Sequence, residues 1–306
     1  MRNTREKRDL SGPRPIRLRW LLIGAAATAI LSAVILSVAT GFNRTTARIQ
    51  ARIDVLMSRY DERTVYRIEK NLMANLKETR DQARAGRLNL FLGELQFVKS
   101  LHNDPHLRDI YLDAAIRYFG KTRLSPDNRL TGEALFWTGL CFYQKGEFYY
   151  PTAINRLIEA LRGGFPDKLK ILKILNYIYL KNRDFDVIIK INQEFLKNGY
   201  YDGDLIYSLA RAYRELQRPR EAAEVLGLVD RLDPVRDRHI LRYILFDLAE
   251  VRFELGDFGS AAEAYERCIR TAPDPENDEL AIRSKVKLAV CRNRETGAKA
   301  QADPAP

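Results

Sequence analysis

Helix-length apolar patterns follow one another from residue 85 to residue 294 with short breaks between them, and one position in every second pattern recurs at a near-constant interval. That position is Ala114, Ala153, Ile188, Ala222 and Ala261, with steps of 39, 35, 34 and 39 residues. A period of this length constrains the fold more than composition does. A unit of about 34 residues has too little core of its own and must bury its apolar face on its neighbours. The stretch "GDLIYSLARAYRELQRPREAAEVLGLVDRLDPVR", residues 203 to 236, shows the unit. Ile206, Leu209, Ala210 and Tyr213 fall at i, i+3, i+4 and i+7, one face of a first helix. After a turn at Gln217 to Pro219, Ala222, Leu226 and Val229 form the matching face of a second helix, and Pro234 ends it. Ala210 and Ala222 face each other and let the two helices approach closely.

The layout recurs as Leu245, Leu248, Ala249 and Arg252, a "GDF" turn, then Ala261, Tyr265, Cys268 and Pro273. Residues 132 to 166 keep Gly139, Phe142, Gly146, Ala153, Leu157, Ala160 and Pro166. Residues 169 to 202 keep Leu172, Leu175, Tyr179, an "RDF" turn and Phe195, with Asn176 and Ile188 where small residues are expected. Upstream, "LDAAIRYFGKTRLSP" supplies a second helix with Ala114, Tyr118 and Pro126. This pattern resembles the tetratricopeptide repeat family, whose 34-residue helix-turn-helix unit carries the same small-large alternation and terminal proline. Arg252 departs from it, standing where a large aromatic is usual. The resemblance implies an all-α fold in which residues 85–294 stack as a five-unit α-solenoid. Residues 277–294 then read as a C-terminal capping helix, and 295–306 as a disordered tail.

In such an array the inner groove is lined mainly by the first helix of each pair. The resemblance therefore places Phe136 and Tyr143, then Lys173, Tyr177 and Lys181, in the groove, followed by Tyr207, Arg211 and Arg214, and by Tyr243, Phe246, Glu250 and Phe253. Aromatics beside Lys and Arg suit an extended protein or peptide partner with acidic groups or a free carboxylate. The competing reading of the same aromatics is packing against the neighbouring helix.

Upstream of the array, "WLLIGAAATAILSAVILSVATGFN" has no charged residue. At about 1.5 Å per residue a helix over 20–42 covers the roughly 30 Å of bilayer hydrocarbon. Cleavage as a signal peptide competes with this, through the small residues Ser37 and Ala39, but the run exceeds the usual signal core. Residues 1–19 hold seven Lys or Arg and the 19 residues after Asn43 hold four, which puts the N-terminus in the cytoplasm and the bulk of the chain outside; by analogy with similar anchored repeat proteins of bacteria, the expected setting is an inner membrane with the array in the periplasm. Residues 43–84 lack Pro and Gly and read as one helical stalk. Its seam of Ile49, Ile53, Leu56 and Tyr60 breaks at Arg63, restarts at Ile68, Leu72 and Leu76, and points to a homodimer. Arg44, Arg48 and Arg52 lie four apart on one face, to be read as lipid-phosphate contacts or as an ordinary solvated face.

The net charge of +11 sits beside the apolar run: residues 1–19 carry +5 and residues 43–84 carry +4. The remainder, 34 basic against 32 acidic residues, is nearly neutral, unlike a nucleic-acid-binding fold with its own basic stripe. Cys141, Cys268 and Cys291 are too few and scattered for a disulfide framework or zinc site, and read as small apolar residues; a Cys268–Cys291 bridge is the alternative. His102 and His106 have metal-pair spacing, but Pro105 between them breaks the helix such a pair needs. The chain shows no phosphate-binding loop, dinucleotide fingerprint, nucleophile elbow or zinc-protease pattern. No catalytic, metal or cofactor residue is therefore assigned. The expected function is a membrane-anchored scaffold in assembly of an envelope or membrane-associated complex, such as a periplasmic motor collar or a translocation-associated assembly. The alternative is an anchored receptor whose cytosolic array captures client peptides.

Overall fold

The computed structural model describes residues 49–123, 127–235 and 237–302. The apolar run at 20–42, the basic segment before it, and Arg44 and Arg48 lie outside the described residues. Among the described residues no helix is long and apolar enough to cross a membrane, and no strand is present. The chain divides into two compact units, residues 1–126 and 127–306.

In the first unit, residues 49–58 form α1, Glu62–Glu78 α2, Gln82–His102 α3 and Arg108–Thr122 α4. The expected single stalk helix over 43–84 is therefore wrong. Asp61 caps α2 by accepting the Thr64 N–H, Thr79 leaves the helix in extended conformation, and Asp81 caps α3 through the Ala83 and Arg84 N–H groups. Two Asp N-caps end the continuity that the absence of Pro and Gly suggested. The seam residues are not left for a second copy either. Ile53, Leu56, Val65, Ile68 and Leu72 are buried in one cluster with Leu88, Phe91, Leu92, Leu95 and Val98 of α3. The change of phase at Arg63 is the turn between two helices packing on a third, so the homodimer seam is occupied within the chain. Glu69 holds the α2–α3 contact from its edge, accepting from Gln96 at 2.7 Å and Lys99 at 2.6 Å. The α3–α4 pair meets where Gly93 leaves room for the Phe119 ring. The buried residues of α4 include Ala115 and Phe119, one position on from the expected Ala114 and Tyr118.

The second unit is a run of helix pairs: α5 Asn128–Gln144 with α6 Tyr150–Arg162, and α7 Lys168–Asn182 with α8 Phe185–Lys197. They are followed by α9 Gly203–Glu215 with α10 Pro219–Leu226, α11 Arg238–Glu254 with α12 Phe258–Thr271, and finally α13 Glu279–Ala302. The tail from 295, expected to be disordered, thus continues as helix through Ala302. Within each pair the small positions are closed. Ala153, Ile188, Ala222 and Ala261 are fully buried, and a Cβ on Gly139 would lie 2.8 Å from the Leu157 side chain. The α7–α8 pair replaces the small contact by a buried polar one: Asn176 donates to Asn192 at 3.0 Å, and Asn192 donates to the Leu205 carbonyl at 3.3 Å. First helices also touch one another, α7 on α9, α9 on α11 and α11 on α13, which makes a continuous row.

Every turn inside a pair of the second unit has one residue of positive φ: Gly146 (102°), Arg183 (62°), Gln217 (57°) and Gly256 (80°). In three of them the next N–H reaches back to the sixth residue's carbonyl, Asp184 to Tyr179, Arg218 to Tyr213 and Asp257 to Arg252, closing the helix end in left-handed conformation. Gly256 isolates the cost of that conformation, because a Cβ there meets nothing within 4 Å. Gly256→Ala is expected to destabilise the α11–α12 pair by about 1 kcal/mol through φ alone. Urea denaturation checks this, and an unchanged midpoint refutes it.

Candidate functional site

The first-helix row positions the expected groove residues, and the structure divides them into three groups. Phe136, Phe246, Glu250 and Phe253 are held by packing. Phe136 is buried and stacks on Phe165, ring centroids 4.3 Å apart. Phe246 is buried, with the Arg283 guanidinium 4.7 Å above its ring. Phe253 lies beneath Lys287 and Arg294 and meets Phe258 edge-on. Glu250 accepts from the Tyr265 hydroxyl and pairs with Lys287 at 3.4 Å. As groove contacts these four are corrected: Phe136 is taken up by Phe165, and for the other three α13 extends the row, so that the α11 face that reads as open groove is its seam with α13. The signal was in the sequence, since Arg283, Lys287 and Arg294 repeat at four and seven residues on one face of α13.

Lys173 and Tyr143 are engaged as well. Lys173 pairs with Asp202 at 3.1 Å and Asp204 at 2.6 Å on α9. Burial opposes its charge, but the two carboxylates outweigh burial and hold its pKa above the ordinary value. Asp202 is also the α9 N-cap, so this lysine ties one repeat to the next. Tyr143 is half-buried, stacked with Tyr150 and edge-on to Tyr177, and burial raises its pKa.

The remaining residues line open surface. Tyr177 and Tyr243 are 44% and 46% exposed, and the Lys181 ammonium lies 5.7 Å over the Tyr177 ring. Tyr207, Arg211 and Arg214 of α9 line one cavity of about 500 Å³ together with Glu215, Gln217 and Asp247. Arg214 bridges to α11, 3.7 Å from Asp247 and 3.1 Å from Glu254. Arg211, one turn before Glu215, is exposed and has no ion-pair partner among the described residues. Tyr207 is half-buried, and burial followed by the nearby Asp247 charge raises its pKa. Asp247 was missed in the sequence, although it lies four residues after Tyr243 and so shares its helix face. Burial raises its carboxyl pKa, against the opposing pull of Arg214 and Arg211.

Outside the groove, Arg52 is exposed on α1. His102 stacks on Tyr60 at 5.2 Å and its ring nitrogen hydrogen-bonds the Met57 carbonyl at 2.9 Å, which ties α3 to the end of α1. Cys141, Cys268 and Cys291 are buried and none is in a disulfide, so the Cys268–Cys291 bridge is not formed. Cys268 donates weakly to the Arg242 carbonyl at 3.6 Å, and burial raises its pKa away from thiolate reactivity.

Residues 243–275, covering most of α11, all of α12 and the turn between them, match the family model described as tetratricopeptide repeat. A solved structure similar to the chain is the crystal structure of yeast Tom70, at 14% identity over 79% of this chain and 61% of that one, with a TM-score of 0.36. This chain thus spans less than two thirds of that structure's length. No curated protein matches the sequence. The helix pairs, their positive-φ turns and the closed small positions are of the kind that the matched unit at 243–275 shows: that segment is similar to a tetratricopeptide repeat.

Proposed function

We propose that the chain is a membrane-anchored, non-catalytic scaffold that binds an extended protein segment along the first-helix row of its second unit. The observation that carries this reading is the cavity on α9 and α11. Arg211 has no ion-pair partner among the described residues and stands beside the half-buried Tyr207, where an incoming acidic group gains a charge-assisted hydrogen bond. Tyr177 with Lys181 on one side and Tyr243 on the other continue the exposed aromatic surface along neighbouring repeats. Several modest contacts on one rigid row bind more tightly together than any one of them does alone. In this reading residues 20–42 anchor the chain in a bacterial inner membrane, residues 1–19 remain cytoplasmic, and the array works in the periplasm in assembly of an envelope complex.

Cross-linking pulldown from cells tests the groove. The triple variant Tyr207→Ala, Arg211→Ala, Arg214→Ala is expected to lose the partner that the wild type recovers, while retaining its helical circular dichroism. Unchanged recovery removes the groove assignment. Protease shaving of spheroplasts tests the placement: digestion of the array supports a periplasmic location, and a spared array favours the cytosolic receptor.

A further inference from the structure

The cavity at α9 and α11 is not simply basic. Resting on the groove reading above, we infer that it contains a cation subsite at Asp247, so that the partner segment presents a lysine or arginine side chain to Asp247 beside the acidic group that reaches Arg211. The Asp247 side chain is 19% exposed and lines the cavity, yet it accepts no hydrogen bond among the described residues. Its closest charged contact is Arg214 at 3.7 Å, long for an ion pair, and the other terminal nitrogen of that guanidinium is 3.1 Å from Glu254. A carboxylate has room for about four hydrogen bonds, and burying it without them is unfavourable.

The titratable groups around Asp247 are Tyr207, Arg211 and Arg214 of α9, Glu215 of the same helix in the shared cavity lining, and Tyr243, Glu250 and Glu254 on its own helix. Glu250 and Glu254 raise its affinity for a proton, and burial does so more strongly. What the position lacks is a cation within hydrogen-bonding distance. Arg211 on the facing helix makes no close ion pair among the described residues. In an extended segment, side chains two residues apart lie on one side at roughly 7 Å, so a basic-x-acidic triplet offers both groups to one cavity. This dipolar requirement separates the site from a purely basic clamp for carboxylates.

The test uses the full chain in detergent micelles and fluorescence polarisation of labelled, end-blocked nonapeptides of alanine and serine. Four probes carry a central Lys-x-Glu, Glu alone, Lys alone, or neither. The Lys-x-Glu probe is expected to bind about tenfold more tightly than the Glu probe, the scale of one charge-assisted pair. Asp247→Asn is expected to equalise those two probes, while Arg211→Ala weakens both. The lysine advantage also fades as pH falls through the raised Asp247 pKa, at higher pH than for an ordinary carboxylate. Equal binding of the two probes to the wild type, or a lysine advantage that survives Asp247→Asn, overturns the cation subsite and leaves the groove reading standing. Failure of every probe to bind overturns both.

Discussion

Tyr265→Ala is expected to lower the stability of the second unit by about 3–5 kcal/mol, the range for truncating a large aromatic in a well-packed core. Tyr265 is fully buried on α12, in one cluster with Phe246 and Leu248 of α11 and Leu288 and Cys291 of α13. The site is closed by three helices, so the cavity left by truncation collapses poorly. Its hydroxyl donates to Glu250, and burial followed by this bond raises the phenol pKa so far that it stays protonated. Tyr265→Phe keeps the ring and removes the donor. Glu250 retains Lys287, so the cost is expected to fall to about 1–2 kcal/mol. Hydrogen exchange over α11, α12 and α13 reads the effect locally. Protection equal to wild type in Tyr265→Ala would show that α13 does not depend on this residue for its seat, and would remove α13 as the element that closes the row.

The same residue shows which parts of the fold were legible. Tyr265, Cys268 and Ala261 were readable as packing because a 3.6-residue period inside a 34- to 39-residue period leaves each few alternatives. The turn at Gly256 was readable for the same reason. Seams between successive first helices were not. Phe246, Glu250 and Phe253 have the residue types of a peptide groove, and what decides their role is α13, more than 25 residues downstream, with Arg283, Lys287 and Arg294 set over them. Lys173 was misread in the same way, because its partners Asp202 and Asp204 belong to the next repeat. Arg211 and Tyr207, assigned to the groove, line an open cavity, because at that step the following first helix presents Asp247 and Glu254 rather than basic side chains. Helix breaks at Asp61 and Asp81 were hidden because an Asp N-cap is indistinguishable from a surface charge unless the helix ending before it is also marked.

Gly93 and Phe119 provide the largest expected effect in the first unit, and a test of why α3 and α4 sit as close as they do. A Cβ on Gly93 would lie 2.4 Å from Cε1 of the Phe119 ring, nearer than any real contact, and the ring is fully buried. Gly93→Ala is therefore expected to destabilise the α3–α4 pair by about 1–3 kcal/mol through overpacking, despite the better helix propensity of alanine. Phe119→Ala is expected to cost about 3–5 kcal/mol by leaving a cavity against α3. The two effects have opposite steric signs at one contact, so they should not add. In the double variant the new methyl enters space the ring has left, and the total cost should fall below the sum of the single costs by about 1–2 kcal/mol. Urea unfolding of the four chains, with hydrogen exchange over residues 82–122 to localise the loss, measures the coupling. Additive costs would mean that Gly93 is small for some other reason, and that the helix pair is not set by this contact. A clear coupling would show that α3–α4 uses the same small-against-large closure as Gly139 against Leu157 in the second unit. It would also place the first repeat at α3, where the sequence period had located only its second helix.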